Sequence, residues 1–365
     1  MQRIFFIVFF IIVMTGCSEV FQPDIENADS FLSIQGSITT QLGKQTVLLT
    51  YSRSYNEQPY FTGVTGAEVN VIDENSNRIH YNEAGNGKYI VNITADNAAK
   101  VGSTYYLEVE TEDGAVFRST PQLIVPSPEI LKFSCGFDRR TILNENTYGD
   151  IIEQEYPVMV LIIETEGILP SDNYYMYDYK AYEQCHDFYQ DDNGMYHEFY
   201  YHQLLSGKYS DNIHTVNADE FGDFHVRNDE LMYIILDDLR NYDTLYPVTG
   251  VSLSTRFEGL LIKLNQYSLS SDAYTFYHDV EEQLAAEGTL FDPAYTQLAG
   301  NIKCVSEPEQ KVIGVFTASD VSDYYAYMYI STSNRYFSTQ IDSFPELWLD
   351  TYSTYKPNDW INPPF

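Results

Sequence analysis

Between Phe31 and about Val125 the chain falls into short runs in which apolar and polar positions alternate. "LSIQGSIT", "QTVLLTYS", "GAEVNVID", "GKYIVNIT", "TYYLEVET" and "AVFRST" each carry the two-residue period of a half-buried strand. In "TYYLEVE", Tyr105, Leu107 and Val109 share one face, and Tyr106, Glu108 and Glu110 share the other. Between the runs lie "DENSN", "AGNG" and "EDG", whose residues tolerate the left-handed backbone of tight turns. Roughly seven such strands predict an immunoglobulin-like β-sandwich over 30–126, without the Cys…Trp…Cys core of an antibody domain. "IVPSPEI", with Pro126 and Pro128, marks its end. Such a domain reads most simply as a spacer, and none of its residues selects a ligand.

Beyond Leu131 the alternation continues in "YPVMVLIIET", "NYYMYDYKAY", "MYHEFYYHQ", "ELMYIILDDL", "GLLIKLNQYSL", "KVIGVFTAS" and "DYYAYMYIS". Tyr175, Tyr177 and Tyr179 fall on one face of their run, with Met176, Asp178, Lys180 and Tyr182 on the other. One segment changes period. "SDAYTFYHDVEEQLAAEG" predicts a helix over 271–287, with Ser271 as N-cap, Asp272 in the first turn and Gly288 as the stop. Ala273, Phe276, Tyr277, Val280 and Leu284 form its apolar stripe, and His278 falls off that stripe. The expected fold is therefore mostly β: the sandwich, then a larger β-rich domain over 127–365 with one packed helix.

Composition agrees with this picture. The 365 residues are 44 % hydrophobic and 15 % aromatic, and tyrosine is abundant: 33 Tyr against 21 Phe and 2 Trp. Tyrosine suits the half-wet faces of sheets. Lys and Arg number 20 against 53 Asp and Glu, a net charge of −33. That field repels phosphate backbones and argues against nucleic acid as a partner. It reads as a solvated acidic surface, with divalent-cation binding as the alternative.

The start, "MQRIFFIVFFIIVMTGC", places Arg3 before the apolar run Ile4–Met14 and closes with Thr15-Gly16-Cys17. The run is too short to span a bilayer and the right length for a signal peptide. The small residues before Cys17 resemble a bacterial lipoprotein cleavage site, which implies removal of 1–16 and lipidation of Cys17. Residues 17–29, with Glu19, Asp24, Glu26 and Asp29, then form a flexible acidic tether. Acidic residues at this place resemble a surface-export signal of Bacteroidota lipoproteins.

Candidate chemistry is sparse. His197 and His202 flank Glu198 but lie five residues apart, one more than a zinc-protease helix needs. Asn193-Gly194 is a hairpin signal, so both histidines belong on the return strand, facing opposite ways. A metal site joining Cys185, His186 and His197 is the weaker reading. Cys135, Cys185 and Cys304 allow one intramolecular disulfide with three pairings open. Trp348, Tyr352, Tyr355 and Trp360 could stack on sugar rings or on a partner, or simply dock the C-terminus. There is no phosphate-binding glycine loop, no nucleophile elbow and no cofactor motif.

The stretch Gln266 to Ser319 also carries a resemblance. Its aromatic-rich helix, Gly288, Leu290-Phe291-Asp292-Pro293, Gly300-Asn301-Ile302 and Gly314 resemble the Bacteroidota lipoproteins grouped as domain of unknown function 4249. The runs "LSIQGSIT", "VTGAEVNVID", "GKYIVN" and "GSTYYLEVE" are similar to that family's opening. The chain departs from it in ending without cysteine and in carrying Cys185-His186 where a Cys-Trp pair is expected. The resemblance implies an outer-membrane lipoprotein encoded beside TonB-dependent receptors. The expected function is thus a non-enzymatic accessory that captures a glycan or other nutrient for such a transporter. A structural or adhesive surface protein is the alternative, and a secreted hydrolase the third reading.

Overall fold

The computed structural model describes residues 31–52, 61–145, 151–166, 174–191, 194–204, 214–217, 226–235, 254–285, 298, 300–330 and 336–340. Over these the protein is mostly β, with one helix. No helix among them is long and apolar enough to cross a membrane. Cys17, the tether, and Trp348, Tyr352, Tyr355 and Trp360 lie outside the described residues.

The first strands are β1 (Leu32–Thr39), β2 (Gly43–Ser52), β3 (Phe61–Gly63), β4 (Glu68–Asp73), β5 (Arg78–Gly85), β6 (Lys88–Ile93), β7 (Thr104–Glu110), β8 (Val116–Ser119) and β9 (Gln122–Leu123). The alternation sorts their side chains as expected: in β7, Tyr105, Leu107 and Val109 are buried while their neighbours are not. β5 and β6 meet at Asn86 (φ 52°) and Gly87 (φ 75°), two successive left-handed residues that match the twist of a hairpin. Gly87 is required twice over, because a Cβ there would stand 2.1 Å from the Leu49 carbonyl oxygen.

Past Pro126 the strands lengthen. They are β10 (Ile130–Glu145), β11 (Ile151–Glu166), β12 (Tyr174–Asp191), β13 (Gly194–Leu204), β14 (His214–Asn217), β15 (Val226–Ile235) and β16 (Ser254–Leu269). Helix α1 (Ser271–Ala285) follows, then β17 (Ile302–Cys304), β18 (Val312–Ser319), β19 (Val321–Ile330) and β20 (Tyr336–Gln340). Two sheets form here, ordered β10-β11-β15 and β13-β12-β16-β19-β20, with β14 beside the start of β12. They share one core: Phe133, Leu161 and Ile163 of the first meet Tyr175, Tyr177, Leu260, Ile262 and Leu264 of the second.

β17 and β18 do not stay with these sheets. β17 pairs with β8, and β18 pairs in parallel with β1 from Leu32↔Val312 to Thr39↔Ser319. The order becomes β17-β8-β7-β4-β5-β6-β2-β1-β18. β5 carries the ladder round the corner, pairing with β4 through Tyr81 and with β6 from Asn82. The pairing therefore does not divide 30–126 into the two separate sheets of an immunoglobulin-like sandwich. One large sheet curls until it is nearly a closed barrel, and its last two strands come from within 127–365.

Asn301 closes the seam. Its backbone N–H donates to Gly314 O (3.2 Å), and its carbonyl accepts from Thr120 N–H (2.8 Å). Its side-chain amide does what a strand would do, donating to Phe316 O and accepting from Phe316 N–H, both at 2.8 Å. Backbones approach so closely that a Cβ on Gly300 would meet Gly314 O at 1.8 Å, and one on Gly314 (φ 151°) would meet Ile34 O at 1.8 Å.

The barrel is joined at Asp320, between β18 and β19, to the sandwich that the sheets β10-β11-β15 and β13-β12-β16-β19-β20 make around their shared core. Its carboxylate accepts from Thr40 Oγ1 (2.7 Å) and Ser127 N–H (2.9 Å). The helix adds a second tie. Ser270, one residue before the expected Ser271, is the true N-cap: its hydroxyl accepts from Ala273 N–H and donates to Gln122. Ala273 and Tyr277 bury the apolar stripe against Leu269 and Val315.

Candidate functional site

The sheet β13-β12-β16-β19-β20 packs one face on the core, and its polar side chains gather on the other. Tyr175, Tyr177 and Tyr179 point inward, and strand geometry sends Asp178 outward. Register then sets Asp178 of β12 opposite Asn265 of β16, and Asn265 opposite Asp323 of β19. Tyr267, Lys263 and Tyr325 fall on the same face at neighbouring positions.

These side chains form two linked clusters. Asp178 accepts from Asn265 Nδ2 (2.6 Å) on one oxygen and from Tyr267 OH (3.0 Å) on the other. Asp323 Oδ2 accepts from Tyr325 OH (2.9 Å) and Gln41 Nε2 (3.3 Å), with the Lys263 ammonium 3.5 Å away. Lys263 also lies 5.5 Å from the Tyr325 ring centre. Gln41 belongs to the turn between β1 and β2, so the barrel reaches into the row.

Asp178 keeps a partly exposed edge, but its carboxyl group sits deep among neighbouring atoms. Burial raises its pKa above the usual carboxylate value, against the hydrogen bonds from Asn265 and Tyr267 and the charge of Lys263. Burial and the Asp178 charge together raise the Tyr267 phenol as well. Asn265 is only 9 % exposed, and its Oδ1 has no hydrogen-bond partner among the described residues. A buried acceptor without a donor is costly, and such atoms mark places where water or a ligand group completes the network. The row offers acceptors, one ammonium and an aromatic face, which suits a ligand rich in hydroxyl groups.

The sequence-predicted residues lie elsewhere. Cys304 is a buried free thiol whose sulfur accepts from Glu307 N–H (3.4 Å), a contact that shapes the turn after β17. Cys135 and Cys185 occupy β10 and β12, and their side chains are outside the description. His197 pairs with Phe188 and His202 with Glu183, at strand positions of opposite parity, as a hairpin requires. Cys185 and His186 pair with Tyr200 and Phe199, so the register does not set His197 opposite either of them. Among the described residues no group of three or more His, Cys, Asp or Glu side chains is placed to hold a metal. Asp178, Asn265 and Asp323 were each visible as polar positions in alternating runs, but nothing local showed that they meet.

No curated protein matches the chain. A family model does, over residues 18–325, and it takes in every strand of the barrel and the helix. The chain belongs to the family described as Domain of unknown function (DUF4249).

Proposed function

We propose that this chain is a lipoprotein anchored through Cys17 in a Bacteroidota outer membrane, where it serves a TonB-dependent transporter as a non-enzymatic capture partner. The observation that carries the anchor is the agreement of two boundaries. The apolar run Ile4–Met14 ends just before Thr15-Gly16-Cys17, and the family match begins at residue 18. Two or three acyl chains on Cys17 would make a stable attachment, and the acidic tether would hold the folded part off the lipid. Capture is supported by the polar row at Asp178, Asn265 and Asp323, whose unfilled acceptor favours a hydroxyl-bearing ligand such as a glycan.

The test is a mild-detergent pull-down of the tagged chain from outer membranes, with stoichiometry read by mass spectrometry. A single β-barrel receptor recovered near one-to-one supports the accessory role. Recovery of the chain alone sinks a stable partnership and leaves adhesion as the better account. Cys17→Ser is the control, and it should move the chain from the membrane pellet to the soluble fraction.

A further inference from the structure

Helix α1 is tied to β14 by a relay of hydrogen bonds through Glu281, Thr215 and His278. Glu281 Oε2 accepts from Thr215 twice, from its backbone N–H (2.9 Å) and from its hydroxyl (2.5 Å). Thr215 is 8 % exposed, so water does not easily replace these bonds. A hydroxyl has one proton, and here the carboxylate takes it. Thr215 Oγ1 can then only accept from His278, whose Nδ1 stands 3.2 Å away. The relay fixes His278 with its proton on Nδ1. The ring plane is held too, stacked on Tyr274 (5.3 Å, 12°), which stacks in turn on Tyr174 (4.5 Å).

The consequence falls on the other ring nitrogen. Nε2 faces Glu282 Oε1 at 3.5 Å, one helical turn along. With Nδ1 given to Thr215, Nε2 is the ring nitrogen left to meet the carboxylate, and a cation, proton or metal ion, fits between the two atoms. Two ligand atoms on a tetrahedral zinc ion, at bonds of about 2.05 Å, stand about 3.4 Å apart. We propose that His278 Nε2 and Glu282 Oε1 form a chelate for a borderline divalent transition ion of the zinc type. Nδ1–H···Thr215···Glu281 is the outer shell that orients the histidine, as metal-bound histidines require. No third His, Cys, Asp or Glu joins them among the described residues, so the other positions on the ion belong to water or to a bound donor. The surrounding field of a chain at −33 raises the local concentration of cations.

A proton on Nε2 would close the same gap as an ion pair, and the experiment separates the two. Diethyl pyrocarbonate modifies free imidazole nitrogens, and peptide mass spectrometry reads each histidine of the purified full-length chain separately. Near pH 7.5, zinc chloride should slow modification of His278 about tenfold, leaving the exposed His80 unchanged. Magnesium chloride should protect neither. Glu282→Gln keeps the relay but removes a ligand, and it should need at least about tenfold more zinc for the same protection. Thr215→Val removes the outer shell and should cost about as much. Circular dichroism matched to the parent chain shows that the variants are folded. Equal rates for His278 with and without zinc would overturn the proposal. So would protection that survives intact in a folded Glu282→Gln.

Discussion

The barrel and the sandwich dispose of their buried polar groups in different ways. In the barrel, three buried polar side chains go back to the main chain. Tyr89 OH donates to Val64 O and accepts from Ala67 N–H, Tyr81 OH donates to Ser37 O, and Asn301 serves Phe316 on both sides. In the sandwich, more of these bonds run between side chains: Tyr177 donates to Gln266, Asn265 and Tyr267 donate to Asp178, and Asn265 Oδ1 is left over among the described residues, while Gln266 and Ser268 reach the Pro128 and Val125 carbonyls. A network closed on backbone is a fastening. One that ends on an unpaired buried acceptor is left one donor short. Of the features that carry the family resemblance, Gly300-Asn301-Ile302 and Gly314 lie in the barrel seam, where they serve the closure of the sheet.

The largest expected effect tests that division at the seam. Gly314→Ala would drive a methyl group into Ile34 O, at a backbone angle that favours glycine. A cost of about 4 kcal/mol or more follows, because backbone atoms on both sides of the clash are fixed in the sheet. Asn301→Ala comes next. It deletes no contact with solvent or ligand, yet leaves Phe316 N–H and C=O unpaired in a buried place, which costs about 3 kcal/mol. Urea denaturation measures both. If either variant kept full stability, the seam would not be what holds the barrel shut.

How much of this could be read from the chain follows the range of the interactions. The alternation of β7, the turn at Asn86-Gly87 and the helix were legible because their causes act within a few residues. The N-cap was misplaced by one residue because Ser270 and Ser271 are chemically equivalent in sequence, and only the contact with Gln122 selects the first. The parallel pairing of β1 with β18 leaves no local mark, since each strand alternates or runs apolar whatever its partner. Hence the expected two-sheet sandwich, built on 30–126 alone. The row Asp178, Asn265, Asp323 was hidden for the same reason. Three separate runs each supplied one polar position, and only the register of β12, β16 and β19 brought them together.

The smallest expected effect probes the unfilled end of the comparison. Asp178→Asn keeps the shape of the side chain and removes its charge. Because burial raises the folded pKa of Asp178, the native chain holds this proton over a range of pH where the unfolded chain has lost it. Stability therefore falls as pH rises from the ordinary aspartate value toward the raised folded one, and stays lowered above it. Below the unfolded value both forms are protonated, and the substitution should change little. At neutral pH it should raise the urea midpoint, since the ionisation penalty is gone and the new amide adds a donor to a cluster with one acceptor too many. Denaturation curves of the two chains at about pH 3 and pH 7 decide the matter. A gain confined to neutral pH places the cost on the buried charge. A loss at neutral pH would mean that the carboxylate is worth more ionised than neutral, and that the row is already a satisfied network like the one in the barrel.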